Sequence, residues 1–165
     1  MEKPCLPAGR EKFNIVVFSG DMDKVLAAFI LATTAASMDM DVSMFFTFWG
    51  LNVLRKKKLT SGKNILQKMM NFMNRGGADR LPLSKFNLLG AGPAMMKIMM
   101  KQSRVPSIEE FIKIAKGLGV KLVSCTTTFG FMGFAKEDFI PEVDSFAGAA
   151  TFIQGAREGK ISYFI

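Results

Sequence analysis

The chain has 165 residues, 49% of them hydrophobic, and its 22 Lys and Arg against 14 Asp and Glu give a net charge of +8. That length and apolar fraction suit one folded domain with a real core and exclude a disordered polyelectrolyte. Histidine is absent and only two cysteines occur, Cys5 and Cys125, which excludes a Cys-His couple within the chain, a disulfide framework and an ordinary zinc site.

Residues 1–12 are polar and contain two prolines, so a flexible N-terminal arm without an apolar leader is expected. The charge-free runs Val25 to Met38 and Val42 to Leu54 span 14 and 13 residues, short of the roughly 18 that a spanning helix needs. No transmembrane segment is expected, and unpaired thiols fit a reduced cytoplasm.

Phe13 to Ser19 reads as a first strand, broken by Gly20, after which Asp21 or Asp23 can cap a helix running to about Ser37. Asp41 to Phe48 reads as a second, buried strand, and Trp49-Gly50-Leu51 as a short helix or turn. A basic, Met-rich helical insertion follows at about 55–104. It holds 12 basic residues, among them Arg55, Lys56, Lys57 and Lys58, against Asp79 alone, so this section carries +11 and the remainder −3. Such a section steers an acidic partner or a small anion, or else only solubilises a greasy domain. It is not expected to bind nucleic acid, because no finger or helix-turn-helix pattern accompanies the charge.

Within the insertion, Asn64 to Met73 is an expected helix stopped by Gly76 and Gly77, and Pro93 to Lys101 a second one. Met95, Met96, Met99 and Met100 recur at spacings of three and four, as in a core or partner-docking stripe. Ser107 and Glu110 form a capping box for a helix whose Ile108, Phe111, Ile112, Ala115 and Leu118 mark one side, with Gly119 as its stop. Lys121 to Cys125 is the next strand. A short strand around Glu142 to Asp144, a helix from about Phe146 to Glu158 and a strand Ile161 to Ile165 complete five. Alternating strands and helices define an α/β class: a single-domain, three-layer fold over 13–165 with a mainly parallel sheet.

Ligands of such sheets gather at the carboxyl ends of the strands, which singles out Cys125. A helical turn from Thr126 to Met132 would turn its exposed N–H groups toward the sulfur and favour the thiolate. Ser19-Gly20-Asp21, at the end of the first strand, is a candidate anion loop. Gly90-Ala91-Gly92-Pro93 breaks the dinucleotide spacing, and no P-loop occurs. No cofactor or metal is expected.

Taken in order, Phe18-Ser19-Gly20-Asp21-Met22-Asp23-Lys24, Phe48-Trp49-Gly50-Leu51, Leu81-Pro82-Leu83-Ser84-Lys85-Phe86-Asn87 with Gly90 and Gly92, and Cys125 before Met132-Gly133-Phe134 resemble the DsrE/DsrF-like family of small sulfur-relay proteins. The resemblance covers about Phe13 to Ile165. It implies flavodoxin- or Rossmann-like layering, a homo-oligomer such as a trimer or dimer, and a sulfurtransferase-like carrier holding sulfur as a persulfide on Cys125. It further implies exchange with a donor or acceptor protein, and a substrate or anion pocket formed by Ser19, Gly20, Asp21, Trp49, Gly50, Thr126 and Thr127. The rival expectation is a non-catalytic docking subunit in which Cys125 merely packs.

Overall fold

Runs rich in Val, Ile, Phe and Met form a five-stranded sheet in the computed structural model, which describes residues 10–57, 64–74, 76–157, 159 and 161–165. The strands are β1 (Lys12–Val17), β2 (Asp41–Phe46), β3 (Lys121–Cys125), β4 (Ser145–Ala147) and β5 (Ile161–Phe164). Their order is β4-β3-β2-β1-β5 and every pairing is parallel. Parallel neighbours need crossovers, and helices supply them: α1 (Met22–Ser37) after β1; α2 (Leu51–Leu54), α3 (Ile65–Met73), α4 (Ala91–Gln102) and α5 (Ile108–Gly117) after β2; α6 (Thr126–Met132) after β3; α7 (Ala149–Ala156) after β4.

The pleat sorts side chains between the two faces. Ile15 and Val17 of β1, Met44 and Phe46 of β2 and Leu122 of β3 join Phe29 of α1 and Phe111 of α5 in one core. The Phe29 ring lies 6.2 Å from Phe46 and 6.3 Å from Phe111, and each such buried side chain contributes roughly 1.5–3 kcal/mol. On the other face Phe45 stacks on Phe152 of α7 at 4.6 Å. That layer is thin, since α7 has no buried residue.

The Ser107–Glu110 capping box forms as expected, with Ile108, Phe111, Ile112 and Ala115 buried beneath it and Gly119 at a φ of +81° just past the helix. Leu118 departs from the expected stripe: it sits at the C-cap, exposed. Asp21 occupies the N-cap of α1 without capping through its side chain, because its carboxylate accepts from the Ser19 hydroxyl at 2.9 Å and from Lys24 Nζ at 2.7 Å. Asp23 is drawn away as well, accepting from the Ser84 backbone N–H at 3.0 Å and from the Ser84 hydroxyl.

The methionine stripe splits. Met100 is buried and Met96 half-buried, whereas Met95 and Met99 are more than half exposed. The strand expected at Glu142–Asp144 begins three residues later, at Ser145. Asp144 instead docks onto β3, its carboxylate accepting from Leu122 N–H at 2.8 Å and its own N–H donating to Leu122 O at 2.9 Å. With Phe146 committed to β4, α7 starts at Ala149 rather than Phe146.

Candidate thiol site

Cys125 is the last residue of β3, paired with Ala147 of β4, and α6 begins at the next position. The abrupt change from strand to helix places the sulfur at the N-cap, where the first helical amides converge. Its neighbours come from two elements. The Thr128 hydroxyl, in the first turn of α6, donates to Cys125 Sγ at 3.6 Å, and the hydroxyl of Thr47, just beyond β2, lies 2.9 Å from that of Thr128. A hydroxyl has one proton to give. With the Thr128 proton directed at sulfur, the Thr47 hydroxyl has both the Thr128 oxygen and the thiol sulfur as acceptors within reach, and the two hydroxyls cluster against the thiol.

Burial pushes the Cys125 thiol up, but the backbone N–H of Thr128, the hydroxyls of Thr128 and Thr47 and the N–H of Thr127 outweigh it, so the pKa lies below the ordinary thiol value. Cys125 closes no full capping hydrogen bond, and the amides act as oriented dipoles. The arrangement favours a thiolate without imidazole or metal. It is not an open one: Cys125 is 4% exposed, so its place at the strand end does not expose the sulfur in this conformation.

The glycine loops at the ends of β1 and β2 are locked together. A Cβ at Gly50 would lie 2.1 Å from Val17 O, and one at Gly20 would lie 2.7 Å from Trp49 O. Gly50 N–H donates to Phe18 O at 2.8 Å and Thr47 N–H to Val17 O at 3.0 Å. Gly20, Trp49 and Gly50 therefore fix the strand end that carries Thr47, and through Thr47 they set the thiol's surroundings. The Ser19 hydroxyl donates to the Asp21 carboxylate at 2.9 Å and accepts from the Asp21 N–H at 3.1 Å. Among the described residues no hydrogen bond, ion pair or ring contact joins Ser19, Asp21 or Trp49 to Cys125. Thr126 is half-buried with its hydroxyl facing the Gly148 backbone, and Thr127 is exposed, contributing only its N–H.

The basic cluster divides its tasks. Arg55 is buried, its guanidinium 3.9 Å from the centre of the Phe134 ring, with Nη1 donating to Asn52 Oδ1 at 3.2 Å and Asn74 O at 3.1 Å. Its burial pushes the pKa down, opposed by Asp138. Lys56 donates to Glu137 O at 2.8 Å, and Lys57 pairs with Asp79 at 2.9 Å and Glu109 at 3.6 Å. Lys58 and Cys5 lie outside the described residues.

Thr47 and Thr128 are the partners that the sequence reading missed. Thr128 could have been found as the third residue of a helix capped by Cys125, whereas Thr47 is brought in only by the pairing of β2 with β3.

Among the described residues no group of His, Cys, Asp and Glu could hold a metal ion, and no helix is long and apolar enough to cross a membrane. A parallel α/β sheet with a hydroxyl-bonded thiol at a strand end defines the class. The chain belongs to the DsrE/DsrF/DrsH-like family, whose model matches residues 9–164. It is 42% identical to the uncharacterized protein YrkE of Bacillus subtilis over 156 residues, 94% of this chain and 97% of that protein. It is 35% identical to the sulfur carrier protein DsrE2 of Allochromatium vinosum over 159 residues, 94% of this chain and 99% of that protein. Two solved structures share the fold, each with a TM-score of 0.52: MTH1491 of Methanobacterium thermoautotrophicum, at 14% identity with 93% and 96% of the two chains covered, and ychN of E. coli, at 12% identity with 93% and 99% covered.

Proposed function

We propose that the protein is a sulfur-relay carrier that holds sulfur as a persulfide on Cys125 and exchanges it with a donor or acceptor protein. The observation that carries this reading is the placement of the Cys125 sulfur at the N-terminus of α6, with the Thr128 hydroxyl donating to it at 3.6 Å and the Thr47 hydroxyl 2.9 Å from that of Thr128, an arrangement that lowers the thiol pKa. Family membership and the kinship with a sulfur carrier support it. In the transfer, the Cys125 thiolate attacks the terminal sulfur of a donor persulfide, the donor S–S bond breaks as the new one forms, and the donor thiolate leaves. The electron count is unchanged and no external oxidant enters. Because the sulfur is buried, transfer follows local opening of the seven-residue α6.

The working unit is a single domain over about residues 13–165 in a reduced cytoplasm, assembled as a homo-oligomer, a trimer or a dimer. The edge strand β5 supports assembly, since it is exposed along its whole length with Tyr163 and Phe164 on its two opposite faces, and Ile153 of α7 is exposed as well. Light scattering giving the bare 18.2 kDa of one chain would refute assembly. Lys56 and Lys57 add positive potential that draws an acidic partner or anionic donor, an influence that weakens as salt rises.

Incubation with a persulfide donor tests the central claim. Intact-mass spectrometry should show a reductant-labile gain of roughly 32 Da, one sulfur, that is absent in Cys125→Ala. No gain with competent donors across neutral and alkaline pH refutes it. The burial of Cys125 favours the second reading, a docking subunit in which the thiol only packs. Alkylation separates the two: rapid modification of the folded protein below pH 7 supports the carrier, and silence until unfolding supports docking.

A further inference from the structure

A groove of about 770 Å³ lies between α4, the turn that follows it and the first half of α5, within the size range of small-molecule sites. Its apolar wall is formed by Met22, Met100, Val105, Pro106, Ile108 and Ile114, and charged side chains, Lys113 among them, line much of the rest. Two of the apolar residues are methionine, a side chain that adapts its shape to an irregular apolar guest. The site is separate from the thiol, for neither Cys125 nor Thr128 lines it.

The charges around it are unequal in their commitments. Among the acidic members, Glu109 and the Asp79 Oδ2 are held by Lys57, the Asp79 Oδ1 being buried without a partner, and Glu110 is bound to Ser107 in the capping box. Lys97 is anchored to the Asp79 carbonyl. Lys101 and Arg104 are exposed lining residues, and among the described residues neither side chain has a hydrogen-bond or ion-pair partner. Arg104 also takes a left-handed backbone conformation, φ +57°, in the turn that closes α4. Glycine is the ordinary occupant of such a turn, and an arginine held there brings a forked cation to the mouth of an apolar groove.

We propose that this groove binds an amphipathic carboxylate, a long aliphatic chain lying along the methionine and isoleucine walls with its head group at Lys101 and Arg104. Guanidinium and carboxylate match in geometry as well as charge, and the apolar walls select against a free inorganic anion.

The probe is cis-parinaric acid, whose fluorescence rises in an apolar site, with its methyl ester as the uncharged counterpart. Titration of the full chain should show saturable uptake at one equivalent, weaker uptake of the ester, and roughly tenfold weaker binding of the acid by Lys101→Glu/Arg104→Glu, the order expected for losing two exposed charge contacts. Ile114→Glu, at a position already 41% exposed and so compatible with folding, should abolish uptake. Cys125→Ala should bind as the parent does, which separates this outcome from that of sulfur loading. Non-saturable uptake, equal affinity for acid and ester, or unchanged binding by the charge-reversed variant, with circular dichroism showing each variant folded, overturns the proposal.

Discussion

The hydroxyls of Thr47 and Thr128 meet at 2.9 Å although 81 positions separate them in the chain. One stands at the end of β2 and the other in the first turn of α6, so the contact exists only when β2 and β3 lie side by side in the correct register. It converts sheet pairing into the electrostatics of a single sulfur atom.

Thr128→Val should therefore act on the thiol and on the fold. Losing the donor to sulfur slows alkylation of Cys125 by roughly fivefold at pH 7, the order set by one hydrogen bond of about 1 kcal/mol. The Thr47 hydroxyl loses its Thr128 partner, at a cost of about 1 kcal/mol of stability. Thr128→Ser should restore the alkylation rate. Iodoacetamide kinetics and urea unfolding measure the two effects, and an unchanged rate in Thr128→Val would remove Thr128 from the site.

The lowered thiol pKa has a sign in stability. Between the folded value and the unfolded one, about 8.5, the unfolded chain holds a proton that the folded protein has released. Stability therefore rises with pH across that window, is fully present above the unfolded value, and is lost as pH falls through the folded value. The urea midpoint of the parent should climb between neutral pH and about pH 9 relative to that of Cys125→Ser. Parallel curves for the two proteins would show that the fold does not favour the thiolate.

Gly50→Ala places a methyl group where Val17 O already stands, at 2.1 Å. The strand ends must separate, at a cost of about 2–3 kcal/mol. Because Thr47 is carried on the same turn, Cys125 alkylation should change together with the melting temperature. A normal melting temperature would contradict the close approach.

Arg55→Ala removes a buried cation together with its stacking on Phe134 and its two hydrogen bonds. A loss of about 2–4 kcal/mol is expected in urea unfolding. Loss of less than half of that would return Arg55 to the class of solubilising charges in which the sequence places it.

Elements whose fate depends on local chemistry were legible in the sequence. The Ser107–Glu110 box and the β3 run ending at Cys125 carry their signals within a few residues. The five parallel strands followed from the alternation of strand and helix patterns. The position of β4 was obscured because Asp144, beside Val143, imitates a strand residue while its carboxylate bonds the Leu122 amide. Arg55 was misjudged because a guanidinium can stack on a ring, a partner found 79 positions further along. The thiol itself could be located from sequence, but Thr47 could not be attached to it without knowing which strand lies next to β3.

The strand order also dictates a schedule for synthesis. β1 sits between β2 and β5, yet its two partners emerge from the ribosome far apart in time. About 150 residues separate the starts of β1 and β5, which at ~5–20 residues per second leaves one flank of β1 without its mate for roughly 7–30 s. During that interval the amides and carbonyls along Phe13 to Val16, later paired with Ile161 to Phe164, form a bare edge. Ile165 then closes it from both directions, its N–H donating to Val16 O at 2.9 Å and its carbonyl accepting from Phe18 N–H at 2.6 Å. Vectorial production thus leaves β1 most vulnerable to wrong strand partners until β5 arrives.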